Sequence, residues 1–268
     1  MNSISRISVF FIALAGSSVA LASGAADESG TYRFVLFLHQ LLFVLWLGPD
    51  IGVYMWSTKL TNPEVTPAQR AAAARMMTLI DVLPKACMSL MLTVGGVLTE
   101  LMGIEHPWWQ MAGIWLLGPV WLTLTLLTFF RRGTSSGPQL ANIDILFRWL
   151  VVVGVIFSVG LSLTTDRLAD TPWITGKLLL FVAVVFFSIM MRYRLKPLSA
   201  AVDELDTGEV SDQTNTLISQ SVSRARLFMF ASWLALAMAA GMGLVQPGDQ
   251  RVETAGQELV VPDEEALF

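Results

Sequence analysis

Long apolar runs and short polar segments alternate along this chain. The runs lie near residues 32–56, 77–102, 109–130, 145–165, 173–192 and 227–245, and the segments between them hold most of the Arg, Lys, Asp and Glu. An apolar run of roughly 18 residues or more spans the hydrocarbon of a bilayer as a helix. The pattern therefore predicts an all-α fold, a polytopic transmembrane helical bundle of six mature spans over 32–245. Ahead of it, residues 1–24 pair a weakly basic start at Arg6 with a short apolar stretch and Ala20-Leu21-Ala22. These are the marks of a cleaved signal peptide, with an uncleaved anchor helix as the alternative. Residues 246–268 form an acidic tail. Within 197–220, a polar connection of PLSAAVDELDTGEVSDQTNTLISQ predicts one short helix outside the bilayer.

Composition sharpens this picture. Charged residues make up 14% of the chain and hydrophobic ones 54%, against about 25% charged in an ordinary soluble domain. The net charge of −4 hides a segregation by sign. Lys59, Arg70, Arg75, Arg131, Arg132, Arg192, Arg194, Lys196, Arg224 and Arg226 fall on alternate connections, whereas the others carry Glu100, Glu105 and His106, then Asp166, Arg167 and Asp170, with further acidic residues after Pro247. Positive charge is retained on the cytoplasmic side, so the C-terminal tail is expected outside. No basic block suggests nucleic acid, and the expected surroundings are lipid. The lone Cys87 excludes an intrachain disulfide and reads as a small buried hydrophobe.

Ionisable groups inside a membrane are costly and mark function by default. His39 and Asp50 in the first span, Lys85 in the second and Lys177 in the fifth meet that description. His39 and Asp50 are eleven residues apart and share a helix face, with Trp46 between them. Asp50 or Asp81 is expected to pair with Lys85, which makes the three structural intramembrane charges, with a proton relay as the alternative. Lys177 either snorkels to the interface or serves a site at the depth of His39. His39 itself is open to two readings, a hydrogen-bonded packing residue or a metal ligand. His106 reads as a loop histidine, with a second metal ligand as the alternative. Gly154, Ser158 and Ser162 place small residues on one face, as close helix packing in lipid requires.

The segment from His39 through Trp46 to Gly48 resembles the first helix of a bacterial membrane superfamily that includes HemJ-type protoporphyrinogen oxidases and CopD-like copper-resistance proteins. Arg75 to Leu98 is similar to the second helix of the HemJ side, and Trp173-Ile174-Thr175-Gly176-Lys177-Leu178 resembles its Trp-x-x-x-Lys-Leu helix. The span from Arg224 to Pro247 resembles its closing helix. The resemblance covers about half the chain, and two spans, 109–130 and 145–165, separate the matching helices where HemJ-type proteins have four helices in all. It implies a bacterial inner-membrane protein with haem b ligated at the metal by His39, Trp46 beside the cofactor, and Lys177 as the second required position. A haem-dependent oxidoreductase acting with a porphyrin or a redox partner would follow. The alternatives are CopD-like copper or small-solute transport, with methionine thioethers as soft ligands, and a non-enzymatic assembly partner. A homo-oligomer is compatible with each.

Overall fold

The computed structural model describes residues 28–208 and 210–250, with side chains from Gly30 onward. The signal or anchor expected over 1–24 and the tail beyond 250 lie outside them. Among the described residues there are eight helices and no strands: α1 (Glu28–Thr61), α2 (Pro67–Ile80), α3 (Val82–Leu101), α4 (Trp108–Phe130), α5 (Gly137–Thr164), α6 (Pro172–Leu195), α7 (Leu198–Thr207) and α8 (Asp212–Val245). Six segments are long and apolar enough to cross a membrane, with α2 and α3 together forming one of them. Their lipid-facing sides carry large apolar side chains such as Val153, Leu163 and Leu234, each more than half exposed. The chain is a multi-pass integral membrane protein.

The break between α2 and α3 has a local cause. Pro84 has no N–H for the helical ladder and crowds the carbonyl of residue 80, four positions back. The chain turns at Asp81, whose own N–H bonds the carbonyls of Met77 and Leu79. Pro49 in α1 and Pro119 in α4 are carried inside continuous helices instead.

Around the bundle the spans follow the order α1, α3, α4, α5, α6, α8, and α8 returns to α1. All six contribute to a shared core that includes Trp46, Met88, Trp121, Val152, Val185 and Leu236. The two ends of the bundle differ, and we name them by Trp173 and Arg192. At the Arg192 end, α1, α2 and α8 run past the apolar stretches, and α7 packs beneath them. Leu60, Ala74, Leu205, Ile218 and Val222 there form a second core. The helix expected within 197–220 is α7. These extensions make α1 and α8 longer than the hydropathy pattern suggests, because their polar turns bury against α2 and α7 instead of against lipid. Arg70, for example, is buried with Nε donating to the Leu60 carbonyl at 2.9 Å and Nη1 to Asn215 at 2.7 Å.

At the Trp173 end, the short connections after α3 and α5 bring Ile104 and Leu168 onto Trp173 and Ile174. The chain after α8 lies on the same connection. Trp173 Nε1 donates to Asp249 at 2.9 Å, and the Gln250 N–H donates to the Asp170 carbonyl at 3.1 Å.

Candidate functional site in the membrane cavity

Beneath that cover, the six spans enclose a cavity of about 1010 Å³. Its wall is mainly apolar, and its polar groups gather toward the Trp173 end. A concave, largely apolar space with a few converging polar groups is the form of a small-molecule site, commonly 300–1,000 Å³ in volume.

His39 projects from α1 onto this wall. Its Nδ1 is buried and has no hydrogen-bond partner among the described residues. The ring lies against Gly95 of α3, where a Cβ would come within 3.3 Å of His39 Cε1. Gly95 thus lets α1 and α3 approach with an imidazole between them. An unpartnered ring nitrogen in an apolar setting is expensive. Trp46, two turns along α1, is buried, lines the cavity and meets Phe181 edge-on with ring centroids 6.4 Å apart.

Lys177 reaches the same cavity from α6. Its ammonium lies over the Trp173 ring, 5.2 Å from the centroid, and packs against Gly243 of α8, where any side chain would displace it. No carboxylate stands within ion-pair distance of it among the described residues. The two residues that the sequence singled out on separate spans therefore line one space.

Three further groups line the same end of the cavity. Arg167, in the connection after α5, donates to Gln110 Oε1 at 3.1 Å and to Ser162 Oγ at 2.7 Å. Gln110 Nε2 in turn donates to Ser158 Oγ at 2.8 Å. His106 lines the cavity as well, with Nδ1 2.6 Å from Glu100 Oε2 and Nε2 3.5 Å from Thr99 Oγ1. The signal for His106 and Arg167 was their place in the short loops at the histidine end of the spans, but only the folded chain shows that these loops converge.

The Gly154, Ser158, Ser162 stripe departs from expectation. Space around Gly154 is open, and the two serines serve as acceptors for Gln110 and Arg167. This face lines the cavity instead of docking a helix. Close packing occurs elsewhere, between α3 and α4. There the Gly118 N–H donates to Thr93 Oγ1 at 2.9 Å, and Gly96 fits under Ile114.

The remaining intramembrane charges lie outside the cavity. Of the two pairings open to Lys85, the structure has the one with Asp81, a turn away on the α2–α3 junction. Asp50 instead accepts from Trp233 Nε1 of α8 at 2.6 Å. Asp144 and Arg148 of α5 are each only 1% exposed. Arg148 Nε donates to Asp144 Oδ2 at 3.0 Å and Nη1 to Ser188 Oγ at 2.9 Å, and Arg192 joins the same carboxylate oxygen. Asp144 and Arg148 sit four residues apart, a spacing that was visible in the sequence. The expected fourth span began at 145, which divided the pair.

Among the described residues no group of three or more His, Cys, Asp or Glu side chains is placed to hold a metal ion by itself. Compared with family models, curated proteins and solved structures, the chain matches none.

Proposed function

We propose that this protein binds haem b in the membrane cavity and works in membrane redox chemistry, with its Trp173 end extracytoplasmic. The observation that carries the reading is His39. A half-buried imidazole whose shielded Nδ1 has no hydrogen-bond partner among the described residues stands on the wall of a cavity large enough for a porphyrin, and Lys177, with no carboxylate in ion-pair reach among those residues, faces the same space. The residues suit that group in three respects. A single histidine is a sufficient protein ligand for haem iron, so the absence of a multi-residue metal cluster among the described residues is no obstacle. The apolar wall and the Trp46 and Phe181 rings suit a flat macrocycle. Among the described residues neither Lys177 nor Arg167 has a carboxylate within ion-pair distance, and each suits a propionate.

Bound there, haem b supplies one-electron chemistry. The chain holds the iron through His39, fixes the ring between apolar helices and limits water through the cover formed by Leu168, Trp173 and the 102–107 connection. The orientation rests on the gathering of basic residues at the Arg192 end, as the positive-inside rule requires. The likeness to HemJ-type proteins makes porphyrinogen oxidation the reaction to assay once haem is established.

The test is the visible spectrum of detergent-purified protein, oxidised and dithionite-reduced, from cells supplied with haem precursor. The wild type should give b-type bands, and His39→Ala should lose them while remaining folded by circular dichroism. Lys177→Ala should keep the bands and shift their midpoint potential. A colourless wild type would end the haem reading.

A further inference from the structure

The cavity is not closed on all sides. The first and last spans, α1 and α8, meet through specific contacts only toward the Arg192 end. These are Trp233 on Asp50, Tyr54 against Phe230 and Trp233 with centroids 5.5 and 6.0 Å apart, and Arg226 on Ser57 and Thr58 at 3.1 Å. The α8 face that makes them, Arg226, Phe230 and Trp233, continues at helical spacing as Ala237, Ala240 and Leu244. The matching α1 face continues from Asp50 toward Gln40. Along this upper half no side-chain hydrogen bond or ring contact joins the two helices among the described residues. Gln40, Val44, Ala240 and Leu244 all line the cavity and yet are exposed, Val44 to 60% and Leu244 to 87%. In a bilayer this opening faces hydrocarbon, not water. Just inside it stands the Lys177 ammonium, held against Gly243 of α8 with no carboxylate within ion-pair reach among the described residues.

We infer that the gap between the upper halves of α1 and α8 is a lateral portal. Through it an anionic membrane amphiphile, such as a phospholipid with a net negative head group, enters from the surrounding leaflet with its head on Lys177 and its chain along Val44, Ala240 and Leu244. Charge complementarity chooses this occupant. An unpaired cation at membrane depth gains most from a phosphate or carboxylate that brings its own apolar chain. A water-soluble anion would have to pass the cover at the Trp173 end, whereas a lipid reaches the seam by diffusion within the leaflet. The inference needs the cavity to be a ligand site but does not need haem to be what fills its centre.

The full-length protein is reconstituted in phosphatidylcholine vesicles with trace phosphatidylglycerol or phosphatidylcholine carrying a diazirine in one acyl chain. After photolysis, labelled residues are mapped by mass spectrometry. Labelling at Val44, Ala240 and Leu244 should exceed that at the lipid-facing controls Val153 and Leu234 with the phosphatidylglycerol probe. Lys177→Gln should lower that preference over phosphatidylcholine by about fivefold, the worth of one cation beside an anionic membrane lipid, and Lys177→Arg should restore it. Equal labelling of seam and controls would overturn the inference, whether the seam is then covered by residues 1–27 or by a second copy of the chain. So would a preference indifferent to Lys177→Gln in protein that elutes and melts like the wild type. Colourless protein with seam labelling would discard haem and keep the portal. A haem spectrum without seam labelling would do the reverse.

Discussion

Asp144 accepts two arginines on a single carboxylate oxygen, Arg148 from its own helix and Arg192 from α6. Both Asp144 and Arg148 are almost wholly buried, so neither charge can turn to water when its partner is lost. Removing one side of a buried pair typically costs about 3–5 kcal/mol, and Asp144→Asn is expected to destabilise the folded protein by about that much in mixed-micelle unfolding. Asp144→Leu with Arg148→Met should recover most of the loss, since two apolar side chains leave no charge stranded. Arg75 and Asp206 form a pair at 3.0 Å as well, but with side chains 61% and 47% exposed. Removing Asp206 should change stability by less than about 1 kcal/mol. His39 and Lys177 were legible as candidates because an ionisable group in an apolar run stands out by itself. Arg167 and Gln110 were not, because their importance comes from meeting across two helices and the connection after α5.

Helix packing separates two kinds of glycine that look alike in the sequence. Gly118 lies in α4 where it presses on α3, and a Cβ there would come within 2.5 Å of Thr93 Oγ1, the acceptor of its own N–H. Gly118→Ala should cost about 1–3 kcal/mol through overpacking and loosen the α3–α4 pair. Gly154, in α5, has nothing within 4 Å of where its Cβ would be. Gly154→Ala should be neutral or stabilising by up to about 1 kcal/mol, since alanine narrows the unfolded ensemble at no steric cost. Thermal melts of the two single variants in one detergent would check the contrast. A stripe of small residues shows where close approach is permitted, and only the fold shows whether a helix or a cavity takes up the space.

At the scale of the whole molecule there are two cores, one among the spans and one at the Arg192 end, and α7 ties into the second. Glu204 of α7 accepts from the Thr214 hydroxyl of α8 and from the Ser211 N–H at 2.7 Å. The Thr214 bond foremost, with those from Ser211, holds its carboxyl below the usual glutamate range. A carboxyl with a depressed folded-state pKa contributes stability above its unfolded value and loses it as pH falls through the folded value. Stability should therefore fall on acidification below the ordinary glutamate range, and Glu204→Gln should flatten that part of the profile in pH-dependent melts. The number and order of the spans were readable from hydropathy, because lipid imposes a length on every crossing. Their continuation at the Arg192 end was not, since α1, α2, α7 and α8 there obey the rules of a water-soluble core. The cavity was not readable either, for it belongs to all six spans at once.

The seam between α1 and α8 also has a mechanical consequence. The two helices are pinned near Asp50 and Trp233, and at 1.5 Å per residue Gln40 lies roughly 15 Å along α1 from that pin. A tilt about the pin too slight to break the Trp233 hydrogen bond is multiplied along this arm into a change of aperture. The width of the opening is thereby governed from the opposite half of the bundle, by one indole and one carboxylate that never touch what passes through it.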